Sequence, residues 1–554
     1  MTTSNDLLIE IGTEELPPKA LQTLSNALTE GVVAGFKKAA LEAQEVVSYA
    51  APRRLAVLLK GIPEKQKDQL SERRGPAIKA AFDAEGNPSK AAQGFARSCG
   101  VEVDALDRLK TDKGEWLVFK QELAGQSTAE LTADIVSKSL ATLPIPKRMR
   151  WGSSELDFVR PVHWIVMMLG DQAITDKVMD ISAGKQTVGH RFHHPAAIEL
   201  HHATDYADVL EKTGYVVASF AQRREVVRQQ AEAAARELGG IAKIDASLLD
   251  EVTALIEWPI AVSGSFDKKF LDIPQECLIS SMQDHQKYFP VMDQSGALLP
   301  HFITISNIDS RNPAAVREGN ERVINPRFSD AAFFWEQDRK NSLESYREAT
   351  KKITFQKQLG SLFEKTERVA TLSEDIAKQM GANSSDAYRA ATLSKCDLMS
   401  DMVGEFAELQ GIMGRYYAQK DGETNAVADA MQQQYQPGFA DDVIPASTTG
   451  KILSLADRLD TLLGIFAIGM KPTGSKDPYA LRRAAIGVLR ILIEGELSLD
   501  LKQLLNSAAN NFNDDIKADE AVNETFAFVM ERLRAYYKDQ GIAGSVVDAI
   551  ASVN

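Results

Sequence analysis

The apolar residues of this chain keep two different rhythms, and that switch limits its fold more than any other feature. From Ser329 onward they recur every three or four positions, as in Met399, Met402, Phe406, Leu409, Met413 and Tyr416, and again in Ile452, Leu455, Leu459, Leu462 and Phe466. Such spacing places them on one helix face. Before Ser329 short apolar runs stand between turn residues: LLIEI at 7–11, VVSYAA and LAVLLKGI on either side of Pro52-Arg53-Arg54, WLVFKQEL at 116–123 and HWIVMML at 163–169. Helical spacing is interleaved with them, through Leu21, Leu24, Leu28, Val32 and Phe36, over Leu131–Leu143, and from Ser219 to Leu238. The expected fold is a multidomain α+β chain. It has N-terminal α/β modules over 1–150, a strand-rich α+β module over 151–268, a central hairpin and polar loop region over 269–328, and an all-helical half divided into 329–500 and 501–554. A hinge is expected at Pro144–Trp151, because its two prolines hold their neighbours extended.

The central region, from Phe270 to Lys340, concentrates polar residues. Gln283, Asp284, His285, Gln286 and Lys287 precede an apolar strand, and Ser295-Gly296 is expected to close a hairpin between KYFPVMD and HFITISNI. Gly319-Asn320-Glu321-Arg322 and Asn325-Pro326-Arg327 read as a loop before a helix that begins at Ser329. Two readings compete here. In one, His285 is a general base, Asp284 orients it and Lys287 holds a phosphate. In the other, the run is a structural or RNA-facing loop, with Asn320, Arg322 and Arg327 in the same role. The second is preferred, because the chain has no nucleophile elbow and no glycine-rich phosphate loop.

The eight histidines all lie at or before His301. His190, His193, His194, His201 and His202 invite a metal reading, but HxxHH lacks the i, i+4 spacing of a helical zinc site, so they are read as loop or surface residues. The three cysteines, Cys99, Cys277 and Cys396, are far apart, which suits a reducing cytoplasm rather than a disulfide framework. No apolar run approaches the roughly 20 residues of a membrane span, and the N-terminus does not read as a signal peptide. A membrane partner is not expected.

The net charge is −14. Backbone phosphates select for Lys and Arg, so this total argues against a general nucleic-acid binder, and DNA is not expected. A local basic groove acts within a Debye length of about 8–10 Å, however, and leaves RNA open. The candidate contacts are Arg53-Arg54, Arg73-Arg74, Lys147-Arg148-Arg150, Arg223-Arg224-Arg228 and Arg482-Arg483. Arginine grips phosphate through two parallel hydrogen bonds. Trp151 stands within reach of the Lys147 group for stacking. For each cluster ordinary solvated surface is the competing reading.

MQDHQKYFPV, GNERVINPRFSDAAFF and LLIEIGTEELPPKAL resemble the beta-subunit family of the two-subunit bacterial glycyl-tRNA synthetases, and the resemblance covers all 554 residues. It implies an ATP-dependent glycine–tRNA ligase assembled as α₂β₂. A separate alpha subunit would activate glycine with ATP and Mg, and this chain, holding no cofactor of its own, would bind and position tRNA(Gly). The 151–268 segment is similar in outline to a tRNA-binding domain of phenylalanyl-tRNA synthetase. Leu393-Ser394-Lys395-Cys396-Asp397 and Ala456-Asp457-Arg458-Leu459-Asp460 resemble the skeleton of an HD-type phosphohydrolase. Cys396 stands where that family has a metal-binding His, and Asp397, Asp457 and Asp460 have no imidazole near them in sequence, so no metal is expected. Family members carry a further helical domain that reads the anticodon. This sequence stops before it, and a truncated form is expected. The alternatives are an HD-type metal-dependent phosphohydrolase and a non-catalytic RNA-binding scaffold.

Overall fold

The computed structural model describes residues 3–551, apart from 84, 85, 112, 113 and 154. The chain divides into two compact units. The first runs to Gly264 and takes in Lys287–Ser295 and His301–Glu318; the second takes Ser265–Gln286, Gly296–Pro300 and the chain from Gly319 on.

In the first unit the order is β1 (Ser4–Thr13), α1 (Leu21–Lys38), β2 (Glu45–Ala51), β3 (Arg54–Pro63), β4 (Gln69–Ala77), α2 (Lys90–Cys99), β5 (Asp107–Thr111), β6 (Gly114–Leu123), α3 (Thr128–Ala141), β7 (Val162–Leu169) and β8 (Gln172–Ala173). Five strands form an antiparallel sheet in the order β8-β7-β1-β3-β2. Strand β1 runs through its middle and is covered on both faces. Leu7, Ile9 and Ile11 pack with Leu24, Leu28 and Val32 of α1 and Val136 of α3. Leu8 points the other way, among Tyr49, Met168, Tyr206 and Leu210. Burial on two sides explains why LLIEI is a continuous apolar run rather than an alternation. Helices α1 and α3 come close because Gly35 has no side chain: a Cβ there would lie 2.5 Å from Ile135. The division expected at 150/151 falls inside this sheet, since β7 follows the supposed hinge in sequence yet pairs with β1 from Thr13 to Leu7.

Residues 69–123 form a small module inserted between β3 and α3. Its sheet has the order β4-β6-β5, and its own core gathers Ala81, Ala92, Ala96, Leu106 and Leu117. The chain enters and leaves at one place. Gln66 N–H donates to Gln126 O at 3.0 Å, and Lys65 bridges Ser127.

The rest of this unit adds α4 (Phe220–Glu237), β9 (Ile241–Ala242), α5 (Ala246–Leu255), β10 (Ile260–Ser265), β11 (Phe289–Met292) and β12 (Leu298–Ser306). The strands take the order β9-β11-β12-β10. The expected hairpin is the β11–β12 pair, and Gly296 in its turn has φ +84. The expected 269–328 region is not one body, because its segments are shared between the two units.

The second unit is helical. Helix α6 (Pro313–Asp338), which belongs to this unit from Gly319 on, starts sixteen positions before the expected Ser329 and continues through Pro326. Asn312 accepts Ala315 N–H at its start, where Pro313 has no N–H to satisfy. It buries only a narrow stripe, Ile324, Phe328, Ala331 and Asp338, so the polar density taken for a loop is the exposed side of a helix. After it come α7 (Leu362–Met380), α8 (Ser384–Leu393), α9 (Ile412–Lys420), α10 (Asn425–Gln433), α11 (Thr448–Ala467), α12 (Leu481–Glu494), α13 (Leu501–Ala509), α14 (Ala518–Asp539) and α15 (Gly544–Ala551). Helix α11 is buried nearly all round, through Leu455, Leu459, Leu462 and Ile465 among others, and is the axis of this unit. The Met399–Tyr416 run is not one helix. Short turns at Cys396–Met399, Asp401–Glu405 and Ala407–Leu409 precede α9, and Gly411 breaks the chain direction at φ +79. Asp477 holds the start of α12, accepting Leu481 and Arg482 N–H at 2.9 Å.

The chain is thus a mixed α+β protein of several modules with a helical C-terminal half. Among the described residues no helix is long and apolar enough to cross a membrane.

Candidate nucleic-acid interface

The first unit holds a charged centre where β1, β3 and β7 meet the chain around Glu257. Arg54 is wholly buried. Its guanidinium pairs with Glu10 at 3.1 Å and Glu257 at 3.3 Å and donates to Val188 O at 2.7 Å. Tyr206 and Thr187 also donate to Glu10, at 2.9 and 3.0 Å. Burial alone would lower the Arg54 pKa, but Glu257 and Glu10 outweigh it and keep the group charged. Arg54 is therefore removed from the RNA contacts expected of the Arg53-Arg54 pair: it is a structural cation.

Arg53 differs. Its Nε and Nη1 are buried and meet no hydrogen-bond partner. Burial pushes its pKa down, and Glu257 offsets this only in part. Its guanidinium carbon and that of Arg54 lie 5.6 and 5.5 Å from the Trp164 ring centroid. The indole can lean across β1 because residue 12 is glycine; a Cβ there would fall 1.9 Å from the ring. Trp164 Nε1, Thr13 Oγ1, Arg54 Nε and His190 Nε2 are likewise buried without partners. Beside Trp164 opens a cavity of ≈ 390 Å³, lined also by His163, Ser182, Lys185 and Gln186.

An aromatic ladder borders this centre. His190 and His193 rings are 4.9 Å apart, His193 and Tyr215 5.0 Å, and Tyr215 and Trp258 5.4 Å. His190 is buried, and its Nδ1 accepts N–H from Phe192 and His193 at 3.2 and 3.3 Å, which fixes the turn. Burial lowers the His190 pKa. Arg191 is clamped by Glu14 at 2.6 Å and Glu15 at 3.2 Å. Phe192, between these anchors, is 75% exposed. Tyr215 sits at φ +55, a left-handed conformation that costs a bulky residue about 1–3 kcal/mol. The histidines read as loop residues are thus partly a scaffold for exposed rings.

The other basic clusters fare unevenly. Arg223 is wholly buried and donates to Ala50 O, Val217 O, Ala218 O and Thr253 O, and burial pushes its pKa down to about 9. It ties α4 to β2 and α5 and presents nothing to a ligand. Arg224 pairs with Asp250 at 2.5 Å, and Arg228 with Glu225 and Glu232. Arg148 pairs with Asp157 at 3.0 Å and Arg150 with Glu155 at 3.2 Å. Lys147 is exposed, while Trp151, expected to stack on RNA, packs against the unit's core. Arg73 donates to Ser98 O, and Arg74 lies 3.5 Å over the Trp116 ring. Arg482 donates to Gly474 O at 2.7 Å; Arg483 is exposed. Arg322 and Arg327 are exposed on α6, and Asn320 is half-buried there.

The polar run splits. Ser281–His285 is a π-helical turn. Asp284 accepts from Ser280 Oγ at 3.2 Å, and the His285 ring stacks on Phe406 at 5.7 Å. Lys287, at φ +60, pairs with Glu251 at 3.1 Å. With Asp284 bonded to serine and the imidazole against a phenyl ring, the base-and-orienter pair does not form.

The helical unit has a polar centre of its own. Lys365 Nζ lies 3.0 Å from Asp460, 3.4 Å from Asp457 and 2.8 Å from Thr461 Oγ1. Lys395 Nζ lies 3.5 Å from Asp457 and 2.7 Å from Gln434 Oε1. Arg368 holds Asp460 at 2.7 Å. Burial would raise the Asp457 pKa, but Lys365, Lys395 and Arg458 hold it well below the usual carboxylate range. Asp397 belongs elsewhere: one of its oxygens accepts Gly411 and Gly414 N–H, at 2.5 and 3.2 Å. Cys396 is buried, with its thiol pushed up to about 12 by burial. Among the described residues no group of three His, Cys, Asp or Glu could hold a metal. The Lys365 ammonium lies between the two aspartates, and that of Lys395 lies against Asp457 alone.

Sequence reasoning missed Lys365, Lys395, Glu10, Glu257, Phe192 and Tyr215. Lys395 had one visible signal, a lysine between apolar Leu393 and Met399 beside Cys396-Asp397. Glu10 and Glu257 had none, being 44 and 203 positions from Arg54.

The chain is similar to known proteins along nearly its whole length. A family model described as glycyl-tRNA synthetase beta subunit matches residues 7–552. The glycine–tRNA ligase beta subunit of Chromohalobacter salexigens is 52% identical over 547 residues, spanning 99% of this chain and 79% of the relative. Those of Hahella chejuensis and Marinobacter nauticus are 51% and 50% identical, over 98% and 99% of this chain and 78% and 79% of theirs. With nearly every residue aligned at about half identity, the chain belongs to the glycyl-tRNA synthetase beta subunit family.

Proposed function

We propose that this chain is the tRNA-holding half of an ATP-dependent glycine–tRNA ligase. It works in the cytoplasm as the beta subunit of an α₂β₂ assembly. The alpha subunit activates glycine with ATP and Mg; this chain keeps no cofactor and holds tRNA(Gly) with its acceptor end at the activated glycine. Positioning of that kind replaces a bimolecular encounter and supplies up to about 7–11 kcal/mol of the barrier.

The observation that carries this reading is the closed polar centre of the helical unit. Lys365 and Arg368 take both oxygens of Asp460, and Lys365 and Lys395 both face one oxygen of Asp457. A phosphohydrolase needs open carboxylates around a divalent cation. If this half is an HD-type skeleton, lysine has taken the metal's place and a fold remains without its reaction. The candidate basic residues that are exposed, Arg73, Arg74, Lys147, Arg150, Arg322, Arg327 and Arg483, are the surface candidates for tRNA phosphates.

The test is direct. The chain alone is expected to bind tRNA(Gly) with an affinity that falls steeply with salt. It is expected to give no glycine-dependent ATP–pyrophosphate exchange until the alpha subunit is added. Exchange without that subunit, or metal-dependent phosphodiester hydrolysis, overturns the reading.

A further inference from the structure

We infer that the Arg53 guanidinium, with the aromatic ladder of Phe192, His193, Tyr215 and Trp258, forms a nucleotide subsite that receives a backbone phosphate of tRNA and stacks an unpaired base. This rests on the tRNA-holding role and narrows it to one place.

Three observations converge. First, the centre around Glu257 leaves more donors than carboxylate oxygens unpaired. Arg53 Nε and Nη1, Arg54 Nε and Trp164 Nε1 are all buried donors without partners. Arg54 engages Glu257 and one oxygen of Glu10, and only the other Glu10 oxygen, Oε2, is left buried and unpaired beside them. An entering oxyanion supplies the missing acceptors, and arginine is the side chain best shaped to take it. Second, the neighbouring rings are held outward. Two backbone N–H groups bonded to His190 Nδ1 and the Arg191–Glu14 pair fix the turn on both sides of Phe192, which is nonetheless 75% exposed. A turn fixed in place before binding loses little backbone freedom when a base stacks on the ring it carries. Third, Tyr215 is held in a left-handed conformation between His193 and Trp258. Strain of this kind clusters where a ligand is clamped.

Arg53 and Arg54 are neighbours with opposite assignments. Arg54 closes a fold-stabilising network. Arg53 is a half-buried cation that Glu257 balances only in part and whose Nε and Nη1 have no partner, so the free protein is expected to be more stable without it.

That contrast gives the experiment. Wild type, Arg53→Gln and Phe192→Ala are compared for tRNA(Gly) binding across a salt series and for Tm without RNA. Arg53→Gln is expected to weaken binding about tenfold, to reduce the slope of log affinity against log salt by about one, and to raise Tm. Phe192→Ala is expected to weaken binding about five- to tenfold with the slope unchanged, because stacking releases no counterions. If wild type binds and both variants match it, the subsite is wrong while the tRNA-holding role stands. A fall in both Tm and affinity for Arg53→Gln makes it a structural residue and overturns the assignment. Inorganic phosphate that raises the Tm of wild type only, with tRNA binding equal in the two, would mark a free-anion site and overturn it too. Failure of wild type to bind tRNA at low salt removes the role and the subsite together.

Discussion

The two polar centres of this protein are built from the same materials and finished differently. In the helical unit both aspartates of the polar centre are answered by cations: Asp460 by Lys365 and Arg368, Asp457 by Lys365 and Lys395. In the sheet unit Arg54 is answered by Glu10 and Glu257, but the donors beside it are not. Buried polar groups are costly until paired. The helical centre keeps one buried hydroxyl unpaired, Tyr435 Oη beside Lys395, whereas the sheet centre keeps several guanidinium and indole donors unpaired. The difference separates a centre whose charges largely answer one another from one whose cations outnumber their partners, although both read in sequence as charged residues in apolar surroundings.

The comparison breaks most sharply at Arg54. Arg54→Met leaves Glu10 and Glu257 buried without their counter-charge and is expected to cost about 3–5 kcal/mol in denaturant unfolding. A loss under about 1 kcal/mol would mean the network is not closed there. The neighbouring Arg53→Gln is expected to shift stability the other way.

A second test uses pH. Burial raises the Asp397 carboxyl from 3.8 to about 6, against the lowering effect of Gly411 and Gly414 N–H. Between those values the folded chain binds a proton that the unfolded chain has lost. Stability therefore falls as pH rises from about 4 to about 6 and levels above, a change on the order of 3 kcal/mol. Asp397→Asn keeps a carbonyl for both glycine N–H groups and is expected to flatten that part of the curve. Equal slopes in the two proteins would remove Asp397 as the source.

The smallest effect is expected at the surface. Lys147→Ala with Arg148→Ala removes one free cation and one already paired with Asp157, so the salt slope of tRNA binding should drop by about one rather than two. A drop of two would mean that RNA displaces Asp157.

Much of this architecture was legible from spacing. The α11 stripe, the β2–β3 pair around Pro52 and the β11–β12 hairpin stand where periodicity and turn residues put them. Local rules failed where tertiary context decided. Pro326 and the asparagines of α6 looked like a loop because their neighbours in space could not be seen. The Met399–Tyr416 run keeps a helical period but is broken by turns that Ser400 and Asp397 stabilise through Val403, Gly411 and Gly414 N–H. The arginine pairs were the hardest. Arg53 and Arg54 are adjacent in the chain, and their environments are set by residues scattered across the whole first unit.

The module at 69–123 has one more consequence. Its two connections run side by side, with Gln66 bonded to Gln126 and Lys65 bridged to Ser127, and its apolar residues form a core of their own. A piece of chain tethered at a single seam can be lengthened, replaced or cut out while the five-stranded sheet keeps its register. Changes of length are expected to be tolerated there better than at β1, where any slip would turn Leu8 and Ile9 to the wrong sides.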